Sequence, residues 1–228
     1  VPACPAWALS QKEGQVVWNS GLCTDCGTCI SMCPHSASPK TRLLSVGAVL
    51  NVIRPYLPFI RGITVSGGEC GLQAPFMTAL VRRAREGHQL GTLIDTNGST
   101  DYSQLPELVD MAEGFMLDVK AWNAEEHEGL TGASNRMVLR NLDFLARIGK
   151  LYEVRTVVVP GQFDAEQTVR EVSRMLLSAA SGARYKIIGF RPQGVRPQFQ
   201  NLPRPELSYL ERLAGLARSM GLRDVVVV

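Results

Sequence analysis

Gly62-Ile63-Thr64-Val65-Ser66-Gly67-Gly68-Glu69 is a short apolar run that stops abruptly in small and acidic residues, and Phe76, Met77, Leu80, Val81 and Ala84 follow it at helical spacing before Gly87. That is a strand, a polar strand end and an amphipathic helix in one unit. The unit recurs along the chain. Thr92–Thr96 is a strand closed by Asn97-Gly98, Leu105–Met111 a short helix, and Phe115–Val119 the next strand. Val138, Leu142 and Leu145 mark a helix stopped at Gly149, and Glu153–Val159 is a strand ended by Pro160-Gly161. Val169, Val172 and Leu176 mark a helix, Tyr185–Phe190 a strand, Leu207, Leu210, Leu213 and Ala217 a last helix, and Val225–Val228 a final strand. Leu44–Leu57 reads as a helix ahead of the series. Apolar, β-branched strands alternating with helices predict an α/β fold with a parallel sheet and helices outside it. Periodicity leaves a doubly wound sheet and an open or partial barrel equally allowed.

Four successive strands end in residues that carry chemistry: Ser66-Gly67-Gly68-Glu69, Asp95-Thr96-Asn97-Gly98, Asp118-Val119-Lys120, and Arg155 before Pro160-Gly161. Functional residues of parallel barrels gather at these C-terminal strand ends. Taken singly, each has an ordinary explanation. Gly67-Gly68 can be a turn, Asp95–Gly98 an Asx loop, Asp118 and Lys120 an ion pair on one strand face, and Arg155 a solvated charge. Taken in order, acids and bases converging on one rim point to a charged ligand, because buried charges are costly unless they are paired.

Upstream lies Cys23-Thr-Asp-Cys26-Gly-Thr-Cys29-Ile-Ser-Met-Cys33-Pro34. Gaps of two, two and three residues followed by proline are the bacterial ferredoxin spacing for a 4Fe–4S cluster, in which the fourth cysteine ligates a second cluster. Gly27 suits the tight turn. A structural zinc site usually shows two well-separated cysteine pairs, and no second pair follows here. Cys4-Pro5 resembles the end of a first copy of the motif, with Gly14–Asn19 a turn and strand leading back. On that logic Cys4, Cys23, Cys26 and Cys29 complete one cluster, and Cys33 serves another whose remaining ligands precede residue 1. The chain begins with Val1 and is expected to be the C-terminal part of a longer protein.

The 228 residues are 45% hydrophobic and 20% charged, enough for a sizeable core of ordinary globular composition. The net charge of +3 comes from scattered Lys and Arg with no basic, aromatic-bearing block, which argues against nucleic acid. No apolar stretch reaches the ~18 residues of a membrane helix, and no signal-peptide pattern is visible. Five of six cysteines fall within the first 33 residues at cluster spacing, which fits a reducing, cytoplasmic setting better than a disulfide framework.

With these residues in view, the chain resembles glycyl-radical-enzyme activating enzymes of the radical S-adenosylmethionine superfamily. Among them it is most similar to the YjjW-type activases with a two-cluster ferredoxin insert. The resemblance rests on Cys23–Pro34, Gly62–Glu69, Asp95–Gly98, Met116–Trp122 and Arg155–Gly161, and so spans almost the whole chain. It implies a ferredoxin-like 4Fe–4S module at 1–40 and, at 41–228, a partial radical S-adenosylmethionine (β/α) barrel lacking its first strand. It also implies an activity: reductive cleavage of S-adenosylmethionine to a deoxyadenosyl radical, which abstracts hydrogen from a glycine of a partner glycyl radical enzyme. The electron donor would be a flavodoxin or ferredoxin.

By position, Ser66, Gly67, Gly68 and Glu69 would hold the amino group of S-adenosylmethionine, Lys120 would face its carboxylate, and Arg155 would lie near the same end. Asp95, Thr96, Asn97 and Asp118 belong to the same site. Asp95, Thr96, Asp118 and the Val119 carbonyl would hold a monovalent cation. Gly189–Gly194 resembles a late strand-end motif near the adenosine.

Two departures stand out. The Cys-x3-Cys-x2-Cys loop of the catalytic cluster is absent from 1–228 and is expected upstream, so this stretch alone is expected not to cleave S-adenosylmethionine. Cys70 replaces a frequent proline and is expected to be an inert buried residue. Two alternatives remain in view: a non-catalytic electron-transfer iron–sulfur protein, which leaves the strand ends unexplained, and another radical S-adenosylmethionine class with auxiliary cysteines after the barrel. No cysteine here follows residue 70.

Overall fold

A computed structural model describes residues 1–34, 37–193, 195 and 199–228. Its contacts divide into two units, Val1–Val49 and Leu50–Val228.

In the first unit β1 (Leu9–Lys12) and β2 (Gln15–Trp18) form an antiparallel hairpin. Both turn residues, Glu13 at φ 48° and Gly14 at φ 79°, are left-handed, the geometry of a two-residue turn that follows strand twist. A single helical turn, α1 (Thr28–Ser31), starts from Gly27 at φ 74°. Helix α2 (Val46–Ile53) runs from this unit into the next. The helix predicted over Leu44–Leu57 is therefore two pieces, since a 3-10 segment takes over at Arg54–Phe59. Pro55 and Pro58 each lack the N–H that would continue an α-helical ladder.

The second unit alternates β3 (Gly62–Val65), α3 (Ala74–His88), β4 (Gly91–Thr96), α4 (Pro106–Met111), β5 (Gly114–Asp118), α5 (Ala124–Thr131), α6 (Arg136–Arg147), β6 (Leu151–Val158), α7 (Ala165–Ser178), β7 (Arg184–Gly189), α8 (Leu207–Ser219) and β8 (Val225–Val227). The sheet order is β3-β4-β5-β6-β7-β8, and every pairing is parallel. A doubly wound sheet reverses its strand order at a switch point. This sheet never reverses, which decides for the singly wound, barrel-like arrangement. Crossovers of one hand put the helices on one side. There Ile94, Phe115, Leu117, Val154, Tyr185 and Ile187 meet Val81, Leu142, Leu145, Val172, Leu176 and Leu213, all buried. Each large apolar side chain so covered contributes roughly 1.5–3 kcal/mol.

Alternation then sends the intervening strand residues to the helix-free face. On β4, Thr92, Ile94 and Thr96 are buried while Asp95 is only partly covered. On β5 and β6, Asp118 and Arg155 take the corresponding positions.

Helix α5 has too short an apolar period to be read from the sequence. It is started by Asn123, whose Oδ1 accepts from the N–H groups of Glu125 and Glu126. It buries His127, whose Nδ1 has no hydrogen-bond partner among the described residues. Burial, aided by nearby Lys120, pulls this imidazole below its ordinary value near 6.5. The unfolded chain therefore binds a proton here more readily than the folded one, so stability falls as pH drops below about 6.5 and is unaffected by His127 above it. His127→Asn is expected to flatten that acid-side slope in urea-unfolding midpoints measured from pH 7.5 to 5.

Candidate functional site

At the C-terminal ends of β4, β5 and β6, four charges form a continuous row. Asp118 stands opposite Arg155 in the ladder. The Arg155 Nε–H donates to Asp118 Oδ1 at 2.8 Å, its Nη1 donates to Asp95 Oδ2 at 3.2 Å, and Nη2 reaches Asp95 Oδ1. Lys120 Nζ donates to the other Asp118 oxygen at 2.8 Å. Arg155 is 16% exposed, Asp95 24%, Asp118 21% and Lys120 32%, so the row is partly desolvated and most open at Lys120. Burial pulls the Arg155 guanidinium down, but bonds to Asp95 and the charges of Asp118 and Asp95 outweigh it, and its pKa is raised.

Beside this row the Glu69 carboxylate is held by four protein donors. Oε1 accepts from the Gly71 N–H at 3.0 Å and the Tyr102 hydroxyl at 2.8 Å, and Oε2 accepts from the Asn97 N–H at 2.9 Å. The Thr96 hydroxyl, 2.9 Å from both oxygens, is shared between them. A carboxylate offers about four acceptor positions, so protein donors take up the bonding capacity of Glu69. Thr96 is itself aimed by accepting from the Gly98 N–H at 2.9 Å. Gly98 sits at φ +77°, and a Cβ there would lie 2.7 Å from Leu117 Cδ1, so the turn after β4 needs glycine.

Two residues essential to this geometry do not stand out among the sequence motifs. Tyr102 is fully buried, and its hydroxyl ends on Glu69. Asn141, on α6 and also buried, accepts from the Tyr102 N–H at 3.2 Å and donates to the Gly98 and Thr100 carbonyls at 2.9 and 2.7 Å. One amide thus staples the whole post-β4 loop. Its only sequence signal is a polar residue three positions after Val138 on an inward helix stripe. Tyr102 carries no signal, since its bond to Glu69 spans 33 residues.

The other expected positions fall as follows. Ser66, Gly67 and Gly68 are exposed after β3, and a Cβ on Gly67 or Gly68 would meet nothing within 4 Å. Neither glycine has the positive φ that demands the residue. Among the described residues neither a close contact nor a positive φ calls for glycine at either position. The Asp95 and Asp118 carboxylates, expected around a cation, are bridged by the Arg155 guanidinium, and the Val119 carbonyl accepts from the Thr156 hydroxyl at 3.0 Å. Among the described residues no group of three or more His, Cys, Asp and Glu is placed to hold a metal ion. Cys70 is buried and its Sγ donates to the Asp95 carbonyl at 3.4 Å. Burial and then Glu69 push its thiol pKa up, keeping it protonated. Gly194 of the late motif lies outside the described residues.

In the first unit Cys4, Cys23, Cys26 and Cys29 line one small cavity together with Trp18 and Lys40. None of the four is in a disulfide. A hydrogen bond from Thr28 lowers the Cys26 thiol pKa, and Lys40 is paired with Asp25, which raises its pKa. Soft sulfur ligands around an enclosed space suit an iron–sulfur cluster. Cys33 lines a neighbouring cleft with Cys4 and Cys29.

Comparison with known proteins sets this geometry in context. The profile of the Radical SAM superfamily matches residues 23–172. The isethionate sulfite-lyase activating enzyme of Oleidesulfovibrio alaskensis is 31% identical over 207 residues, covering 86% of this chain and 65% of that enzyme. The pyruvate formate-lyase-activating enzyme of Streptococcus mutans is 32% identical over 140 residues, covering 58% of this chain and 52% of the relative. The chain thus spans between about half and two thirds of these relatives' lengths. Among solved structures, a domain of a pyruvate-formate lyase-activating enzyme from Bacteroides vulgatus superposes with a TM-score of 0.63 at 17% identity, covering 73% of this chain and 98% of that one. That likeness concerns the fold.

Proposed function

We propose, because the chain belongs to the radical SAM superfamily, that it forms the S-adenosylmethionine-holding part of an activating enzyme for a glycyl radical enzyme. The observation that carries the proposal is the rim itself. Asp95, Asp118, Lys120 and Arg155, from three neighbouring strands, are linked in one row, and Glu69, next to the exposed Gly67-Gly68, bonds Thr96 and Asn97 directly after Asp95.

A methionine end carries one ammonium and one carboxylate, and the rim answers both. Lys120, the most exposed cation of the row, would take the carboxylate in exchange for part of its bond to Asp118. The ammonium would lie against the Gly67-Gly68 main chain, with Ser66 alongside. The Glu69 charge would act from behind, because its oxygens are committed to Thr96, Asn97, Tyr102 and Gly71. Glu69 therefore positions the rim as well as balancing charge. Arg155 holds Asp95 and Asp118 at fixed separation, which occupies the place expected for a monovalent cation. With a 4Fe–4S cluster, S-adenosylmethionine supplies one-electron chemistry able to take hydrogen from a glycine of the partner. The chain's own residues orient the cofactor, match its charges and exclude water.

The partner kind is a glycyl radical enzyme, as the names of the relatives suggest, with a flavodoxin or ferredoxin as electron donor. The separation of contacts at Val49 and Leu50 supports a cluster-bearing module near 1–40 ahead of the partial barrel at 41–228. Cys4, Cys23, Cys26 and Cys29 would hold the module's cluster, and Cys33 would serve a second one. Among the described residues no helix is long and apolar enough to cross a membrane. Cysteine-rich iron–sulfur chemistry favours the cytoplasm.

The test is Gly68→Ala with S-adenosylmethionine titrated calorimetrically. Because the added methyl meets open space, stability is expected to be unchanged or higher by about 0.4–1 kcal/mol. Affinity is expected to fall about tenfold or more, a loss of ~1.4 kcal/mol or more. Unchanged affinity would remove Gly67-Gly68 from the site, and a loss of both affinity and stability would make the glycines structural.

A further inference from the structure

Trp18 closes β2, and its indole Nε1–H is shielded from solvent with no hydrogen-bond partner among the described residues. Native proteins rarely leave a buried donor unmatched without a reason. The same side chain lines the cavity shared by Cys4, Cys23, Cys26 and Cys29. Its ring is held from one side by the Arg42 guanidinium, 5.9 Å from the ring centroid. An orphaned donor on a residue that lines a space walled by sulfur ligands would find an acceptor there once that space is filled.

We propose that the Trp18 indole N–H donates a hydrogen bond to a sulfur of the 4Fe–4S cluster carried by these four cysteines, and that this bond raises the cluster's reduction potential. The inference rests on the cluster assignment made above. No covalent bond forms or breaks. Reduction adds one electron to the cluster, the added negative charge lies largely on iron and sulfur, and a donor aimed at a sulfur stabilises the reduced form more than the oxidised one. Lys40 also lines the cavity, but its ammonium is engaged by Asp25. The indole N–H is thus a buried side-chain donor at this cavity that has no partner among the described residues. Trp18 would act as a positioning and tuning residue for electron delivery, not as a ligand.

The experiment uses the full chain, reconstituted anaerobically with iron and sulfide and titrated potentiometrically, with the reduced cluster followed by electron paramagnetic resonance. Trp18→Phe keeps the ring and removes only the N–H. The expected result is full iron and sulfide content with a potential shifted to more negative values. A full cluster with an unshifted potential overturns the role of Trp18 while leaving the cluster assignment standing. A shift in Lys40→Met but not in Trp18→Phe overturns it in favour of the ammonium. Failure of the wild-type chain to take up iron and sulfide overturns both readings. Should Trp18→Phe load poorly, indole-15N-labelled wild-type and Trp7→Phe proteins decide the matter. A 15N coupling to the reduced cluster in both supports the bond, and its absence rules the bond out.

Discussion

Arg155→Met is expected to lower the thermal midpoint of the sheet-bearing unit by about 4–12 °C, from a loss of roughly 2–3 kcal/mol. Breaking a fully buried pair by removing one partner costs about 3–5 kcal/mol. Arg155, Asp95 and Asp118 keep 16–24% of their side-chain surface in solvent, so the expected loss is discounted accordingly. The physical cause is that one guanidinium bonds both Asp95 and Asp118. Without it, the two carboxylates lose their shared partner, and among the described residues Lys120 is the ion-pair partner left to Asp118. Arg155→Lys keeps the charge but not the planar fork, and is expected to recover about half of the loss. Asp95→Asn combined with Arg155→Met should cost less than the two single changes together, because the repulsion that Arg155 relieves is then gone. An unaltered midpoint in Arg155→Met would mean that solvent screens the row and that it does not brace the strand ends.

Asn141→Leu is expected to cost at least as much, roughly 3 kcal/mol or more, although the two side chains are similar in size. Three main-chain groups lose their partner at once: the Tyr102 N–H and the Gly98 and Thr100 carbonyls. Each buried group left unpaired costs about 1–3 kcal/mol. The damage should reach the rim, because Tyr102 carries its hydroxyl to Glu69 from the same loop. A fall in S-adenosylmethionine affinity should therefore accompany the fall in urea midpoint, even though Asn141 never touches the ligand. The comparison is Asp143→Ala on the same helix, where only an exposed i,i+4 pair with Arg147 is lost and the change should stay within about 0.5 kcal/mol. Equal effects of the two substitutions would refute the stapling role.

The strand ends were legible because chemistry there interrupts an apolar pattern: Ser66–Glu69, Asp95–Gly98 and Asp118–Lys120 are where hydrophobic runs stop. That Arg155 joins the rim was expected, but that it bonds Asp118 was not legible. Placing it opposite Asp118 requires the register between β5 and β6, which a bulge shifts between Phe115 and Met116. The sheet order was likewise hidden, since a run of strands and helices reads the same whether or not the order reverses. Glu69 reads as a ligand group because it closes an apolar strand and stands in the Gly-Gly-Glu stretch that carries the family resemblance. Its commitment to Tyr102 and Thr96 depends on residues 33 and 27 positions away, brought together only by tertiary packing. The interrupted helix at Arg54 was foreshadowed by Pro55 and Pro58, but apolar periodicity ran straight through them.

The row at the strand ends holds two acids and two bases in mutual contact. Such a quadrupole projects little field into solution, so it would not by itself draw the ammonium–carboxylate end of a ligand from afar. That end would trade ionic partners with the row one for one, a swap with nearly level electrostatic cost. Long-range attraction would then fall to charges outside the row, and discrimination to the shape of the backbone beside it.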